Sequence, residues 1–140
     1  TDDEIKDIVA YIHKSLNVNY KEAKKLYEQA AKMPKDKSKE EILEDGRKVY
    51  LKRCIHCHGA SGKADGVAVK ASNGNLFPYD LTKTLLTDEQ KFLFTKYGSK
   101  HFGASRDDMP AWGGVYSDEA IHSVVEYIKV MVEKSNSTNQ

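Results

Sequence analysis

The sequence predicts an all-α fold, and three features point there. Polar residues able to cap helices stand three positions before Glu or Gln at several places. Apolar residues recur behind them at helical spacing. No stretch alternates apolar and polar residues as a half-buried strand would.

Thr1 with Glu4 opens the first helix, whose apolar face is Ile5, Ile8, Val9 and Ile12. In such a capping box a side-chain oxygen accepts from a first-turn amide and the later Glu or Gln reciprocates. Asn19 with Glu22 opens a second helix, carrying Ala23, Leu26, Tyr27 and Ala30 and stopping before Pro34. Ser38 with Glu41 opens a third, which runs through Ile42, Val49 and Tyr50 toward Cys54. Thr87 with Gln90 opens a fourth, through Phe92, Leu93 and Phe94, closed by Gly98 at the C-cap. The fifth starts at Ser117, where Asp118 and Glu119 suit the positive end of the helix dipole. Its apolar face is Ile121, Val124, Val125, Ile128, Met131 and Val132.

Residues 59–83 and 98–116 read as glycine-bearing loops, with turn signals at Asp65-Gly66 and Asn73-Gly74. Loops this long in a small domain normally wrap something or do something. Residues 34–41 are a charged connector, and the polar stretch 133–140 is expected to fray.

With 140 residues the chain is one domain, or one domain and an appendage. It is 39% hydrophobic and 31% charged, so its core is thin and a bound cofactor would help fill it. The net charge of +1, from 22 basic against 21 acidic residues, argues against nucleic acid as partner. No apolar run approaches the ~20 residues that span a bilayer. The chain opens on TDDE with no signal peptide, so the expectation is a processed chain or a piece of a longer one. Residues 1–16 match 117–132 at Asp2/Asp118, Ile5/Ile121, Val9/Val125, Tyr11/Tyr127 and Ile12/Ile128. Either two amphipathic helices share a pattern, or residues 1–16 descend from the terminal helix of a preceding copy. The organisation predicted is a helical extension over 1–37, a main domain over 38–133 and a polar tail over 134–140.

Both cysteines lie in CIHCHG, residues 54–59. Two thiols two residues apart match the two vinyl groups of a porphyrin, and the adjoining imidazole can reach the iron. CxxCH therefore reads as c-type haem attachment, with Cys54 and Cys57 on the vinyls and His58 on the iron. A structural zinc site would need two further ligands from His13, His101 or His122, which show no ligand spacing. A thioredoxin-like use expects a βαβ setting, and a plain disulfide leaves His58 unexplained. His56 reads as a surface residue.

A low-spin electron carrier needs a second axial ligand, and a thioether raises the potential. Met33 ends a helix and Met131 lies on an apolar face, where packing is the default. Met109, in RDDMPAWGG, sits in a loop stiffened by Pro110, from which its sulfur can swing over the other haem face. The competitor is His101, which would give a bis-histidine iron of lower potential.

These motifs together resemble the class I c-type cytochromes. The likeness covers roughly residues 40–133, through DGRKVYLKRCIHCHGASGKADG, FPYDLT, DMPAWGG and SDEAIHSVVEYIKVMV in that order. It implies a class I cytochrome c fold around one covalent haem c, with His58 and Met109 as the metal ligands. It implies that Gly46 and Tyr50 pack against Tyr127, Gly46 letting two helices cross closely. It also implies that a backbone carbonyl near a proline receives the N–H of the proximal histidine; Pro78 lies in that region. Leu81 is expected on the haem, and Tyr79, Arg106 and Trp112 are candidates to hydrogen-bond its propionates, each with an equal case for a role unrelated to haem. Minimal members lack the first 35 or so residues found here.

The function implied is one-electron transfer to or from a redox protein partner or a fused catalytic domain, with no catalysis by this domain itself. The alternative is a haem enzyme or gas-sensing module with an open, displaceable or His101-ligated sixth site. The likeness places the chain in the bacterial periplasm, where thioether attachment occurs. Lysines 63, 70, 83, 91, 96 and 100 form either a positive rim at the haem edge or a solvated surface, and the near-balanced charge favours the latter.

Overall fold

The computed structural model describes residues 1–6, 20–105 and 108–138. These residues are helical with no strand, as the sequence predicts. The helices are α1 (Tyr20–Lys32), α2 (Lys39–Val49), α3 (Ile55–His58), α4 (Val67–Ala71), α5 (Asp88–His101) and α6 (Asp118–Thr138). A wide turn, Tyr50–Cys54, joins α2 to α3, and a 3₁₀ turn, Trp112–Gly114, precedes α6. Residues 2–6 are also helical, with the Glu4 amide donating to Thr1 Oγ1 at 3.2 Å. Ile8, Val9 and Ile12, and the predicted cap Asn19, lie outside the described residues.

The caps are formed where the pattern places them. The Glu41 amide donates to Ser38 Oγ at 3.1 Å, and the Ala120 amide to Ser117 Oγ at 3.2 Å. Thr87 and Gln90 close a full capping box, at 3.2 Å and 2.9 Å in its two directions. Each such cap contributes about 1 kcal/mol.

Helices α2 and α6 cross at Gly46. A Cβ there would run into the Ser123 carbonyl oxygen and stand 2.8 Å from the Tyr127 Cβ. A glycine inside a helix costs ~1 kcal/mol relative to alanine, and the close crossing explains why it is tolerated. One turn on, Tyr50 packs against Tyr127 with ring centroids 5.5 Å apart. Around this crossing Tyr50, Cys54, Val124, Ile128 and Met131 form one buried cluster, with Leu81 packed against it.

A second cluster joins Phe92, Ile121 and Val125 to Ala30 of α1, and a third joins Ala23 to Leu93. The small Ala23 and Ala30 let α1 lie close on α5 and α6. Tyr27 stands edge-on to Phe92 and donates to Glu126 Oε1 at 2.8 Å. Residues 20–32, which the sequence pattern assigns to an extension, thus share the core with α5 and α6.

Three elements depart from expectation. Helix α5 does not end at Gly98. That residue leaves helical geometry (φ 77°, ψ 166°), and the chain turns helical again through His101. The tail does not fray at 133, since α6 runs to Thr138. No Gly or Pro interrupts it, and Ser137 Oγ donates back to the Glu133 carbonyl at 2.9 Å. The loop 59–83 contains the short helix α4.

Candidate functional site

The wide turn after α2 brings the two-cysteine motif into place. The Ile55 amide bonds to the Tyr50 carbonyl five residues back, a π-type turn of the kind that often marks functional sites. Cys54 faces inward and is 9% exposed, within the Tyr50 cluster. Cys57 and His58 follow on α3, half-buried. The two cysteines are not joined in a disulfide. Burial, and then the neighbouring Cys57, pushes the Cys54 thiol up to about 12. Burial raises Cys57 too, with a further contribution from Asp108.

His58 is oriented by the backbone. Its Nδ1 donates to the Tyr79 carbonyl at 3.0 Å. That bond selects the tautomer whose Nε2 lone pair is free for a metal. Burial lowers the His58 pKa, opposed by the Tyr79 bond, so the ring is neutral at neutral pH, as a metal ligand must be. Pro78 stands one residue before the accepting carbonyl.

The loop after α3 folds back over it by backbone contacts. The Ala64 amide donates to the His58 carbonyl at 3.0 Å and the Gly66 amide to the Cys57 carbonyl at 3.1 Å. Tyr50 Oη donates to the Gly59 carbonyl at 2.5 Å, and the Leu81 amide to the Gly62 carbonyl at 2.7 Å. A Cβ on Gly66 would collide with the His56 carbonyl and stand 2.6 Å from that of Ile55. Leu81 packs where Gly62 meets the Met131 side chain.

On the other side, Met109 is tied to the kink in α5. The Ser99 amide donates to the Met109 carbonyl at 2.9 Å, and the Met109 amide to Ser99 Oγ at 3.3 Å. Gly98 adopts backbone angles essentially reserved for glycine, and a Cβ there would stand 2.8 Å from both Met109 O and Ala111 N. The Arg53 guanidinium lies 5.4 Å from the centre of the Trp112 ring and 6.0 Å from that of Tyr116. Arg53 Nε also donates to Tyr116 Oη at 3.1 Å.

The remaining candidates fall in several places. The Tyr79 ring is exposed, Trp112 is engaged with Arg53, and Arg106 lies outside the described residues. His101 is stacked on Tyr97 at 4.8 Å and edge-on to Phe102. It borders a hollow of about 250 Å³ whose other lining residues are Glu22, Ala23, Leu93, Tyr97 and Phe102. That hollow shares no residue with the cysteine motif. His122 is buried on α6 against Tyr27, away from the cysteines, and His56 is exposed with Nε2 donating to the Lys52 carbonyl at 3.2 Å. Met33 is exposed and Met131 is core. Three of the six candidate rim lysines are paired: Lys83 with Asp80, Lys91 with Asp88 and Lys96 with Asp118.

Arg53 and Ser99 escaped the sequence reading. Nothing in periodicity marks them; the one available signal was adjacency, Arg53 to Cys54 and Ser99 to the glycine of the kink.

The residues of the motif fit a covalent haem c: two thiols on one turn and an imidazole aimed by a carbonyl. A family model described as cytochrome C oxidase, cbb3-type, subunit III matches residues 41–128. The chain belongs to that family. Its matched region is a c-type cytochrome domain, whose chemistry is haem-based electron transfer and which works with a redox partner or complex. The domain is an electron carrier. No curated protein and no solved structure matches the chain. Among the described residues no helix is long and apolar enough to cross a membrane.

Proposed function

We propose that the chain carries one haem c, joined by thioether bonds to Cys54 and Cys57 and held axially by His58 and Met109. It passes single electrons to or from a redox protein or the catalytic subunit of an oxidase, in the bacterial periplasm. When bound, the haem supplies an iron that cycles between ferric and ferrous states, and axial ligation and burial set its potential.

The observation that carries this reading is the His58–Tyr79 bond beside the two cysteines of the same turn. Tyr79 fixes the imidazole so that Nε2 points away from the backbone that holds it. The Tyr50 cluster and Leu81 keep water from the Cys54 side. Gly98 and Ser99 hold the Met109 segment. Lys83, Lys91 and Lys96 each face a carboxylate, which supports brief docking of modest salt dependence.

Two measurements test the reading. A pyridine haemochrome assay on protein matured in a competent host is expected to return one covalent haem per chain. The ferric protein is expected to show the weak long-wavelength band of sulfur-to-iron ligation, and Met109→Ala to abolish it. A spectrum with two nitrogen ligands, or high-spin iron in the unaltered protein, would overturn the axial assignment.

A further inference from the structure

The Met109 segment is held from two sides, and the two holds differ. On the α5 side it is bonded through backbone and hydroxyl to Ser99. The chain just beyond it rests on α5 where Gly113 meets Lys96 and on the Phe92 cluster through Tyr116, and toward the haem thiols it meets one side chain. Arg53, the residue before the first haem thiol, faces both Trp112 and Tyr116 and donates to Tyr116 Oη at 3.1 Å. The two rings stand 6.2 Å apart, and the Tyr116 amide bonds to the Trp112 carbonyl at 2.8 Å, so both move as one turn. Trp112 is three residues from Met109. A guanidinium suits this place because it is planar, permanently charged, and able to face rings while donating a directed hydrogen bond.

We propose that Arg53 is a positioning residue for the sixth ligand. By bracing Trp112 and Tyr116 against the segment that carries the haem thiols, it sets how readily the Met109 sulfur yields its place to another ligand. The inference rests on the His58/Met109 ligation proposed above and adds what controls it. Arg53 is itself exposed and lies outside the buried clusters, while Tyr116, which it bonds, packs against the Phe92 cluster.

The test is displacement of Met109 from the ferric haem protein by imidazole, followed at the long-wavelength band. Arg53→Gln is expected to keep the band and raise the displacement rate about three- to fivefold, the scale of an exposed cation–π contact. Trp112→Leu is expected to do the same, and the double variant no more than either alone, because both remove one brace. Arg53→Lys keeps the charge but not the planar fork, and is expected between wild type and Arg53→Gln. Wild-type rates in Arg53→Gln, or effects of Arg53→Gln and Trp112→Leu that multiply, would overturn the proposal while the ligation stands. Absence of the band from the unaltered protein would overturn the ligation itself, and this inference with it.

Discussion

The loop after α3 and the loop bearing Met109 are closed by different means. The one after His58 is closed mainly by backbone, with Tyr50 Oη and His58 Nδ1 added at Gly59 and Tyr79: amides of Ala64, Gly66 and Leu81 reach carbonyls of His58, Cys57 and Gly62, and at Gly66 there is no room for a Cβ. The one bearing Met109 is closed partly by side chains: Ser99 Oγ at one end, Arg53 between two rings at the other, with Lys96 bonded to Asp118 at 2.9 Å beyond. Backbone closure in close contact leaves one arrangement. Side-chain closure at an exposed site contributes about 1 kcal/mol per contact and can be adjusted singly. The loop after His58 is thus built for constancy, and the loop bearing Met109 is the more adjustable of the two.

The largest effect should come from filling the backbone contact. Gly66→Ala is expected to destabilise the haem protein by about 3 kcal/mol, since neither carbonyl it meets can move aside without disturbing α3. Denaturant unfolding measures this, and a loss below ~1 kcal/mol would mean the first loop is as yielding as the second. Gly98→Ala comes next, at about 2 kcal/mol, from forbidden backbone angles and the approach of Met109 and Ala111. Its distinguishing mark is spectroscopic: the sulfur-to-iron band should weaken while covalent haem content stays whole. An intact band would show that the kink does not hold Met109.

One source of acid sensitivity lies outside both loops. His122 is buried on α6, its Nδ1 has no partner among the described residues, and its ring lies 5.2 Å from Tyr27. Glu126 is 3.7 Å from its Nε2 but already accepts from Tyr27 and lies 3.8 Å from Lys129, which pairs with Asp88 at 2.9 Å. Burial leads, and the His122 pKa falls below its ordinary value despite Glu126, Asp88 and Glu119. The unfolded chain then binds the proton more readily than the folded one. Stability is complete above about pH 6.5 and is lost as pH falls from there through the lower folded value. His122→Leu is expected to flatten that slope without altering the sulfur-to-iron band. An unchanged slope would place acid sensitivity elsewhere. The smallest effect is expected at the exposed rim. Lys83→Ala, which removes a 3.9 Å pair with Asp80, should change stability by less than ~0.5 kcal/mol and electron-transfer rates only slightly. A large drop at low salt would restore the positive rim.

Legibility followed the range of the contacts. Ser38, Thr87 and Ser117 could be read because a cap meets residues three positions away, and the face of α6 because helical period alone decides it. The helix crossing at Gly46 and Tyr127 was legible only through family likeness. The continuation of α5 past Gly98 was not, because a glycine with positive φ usually ends a helix, and here the Met109 carbonyl accepts from Ser99 just beyond the kink. The π turn was hidden too, since its residues would suit an α-helix equally well.

The sequence by itself determined the helices, the all-α class and the pairing of two thiols with an imidazole on one turn. All of these depend on neighbours within about one turn, where spacing dictates geometry. Only the tertiary structure decided that the Tyr79 carbonyl aims His58, that α1 shares the core, and that Arg53 reaches Tyr116 across sixty-three residues. Such pairings join segments that could have met in many ways, and packing the whole chain around one core selects among them.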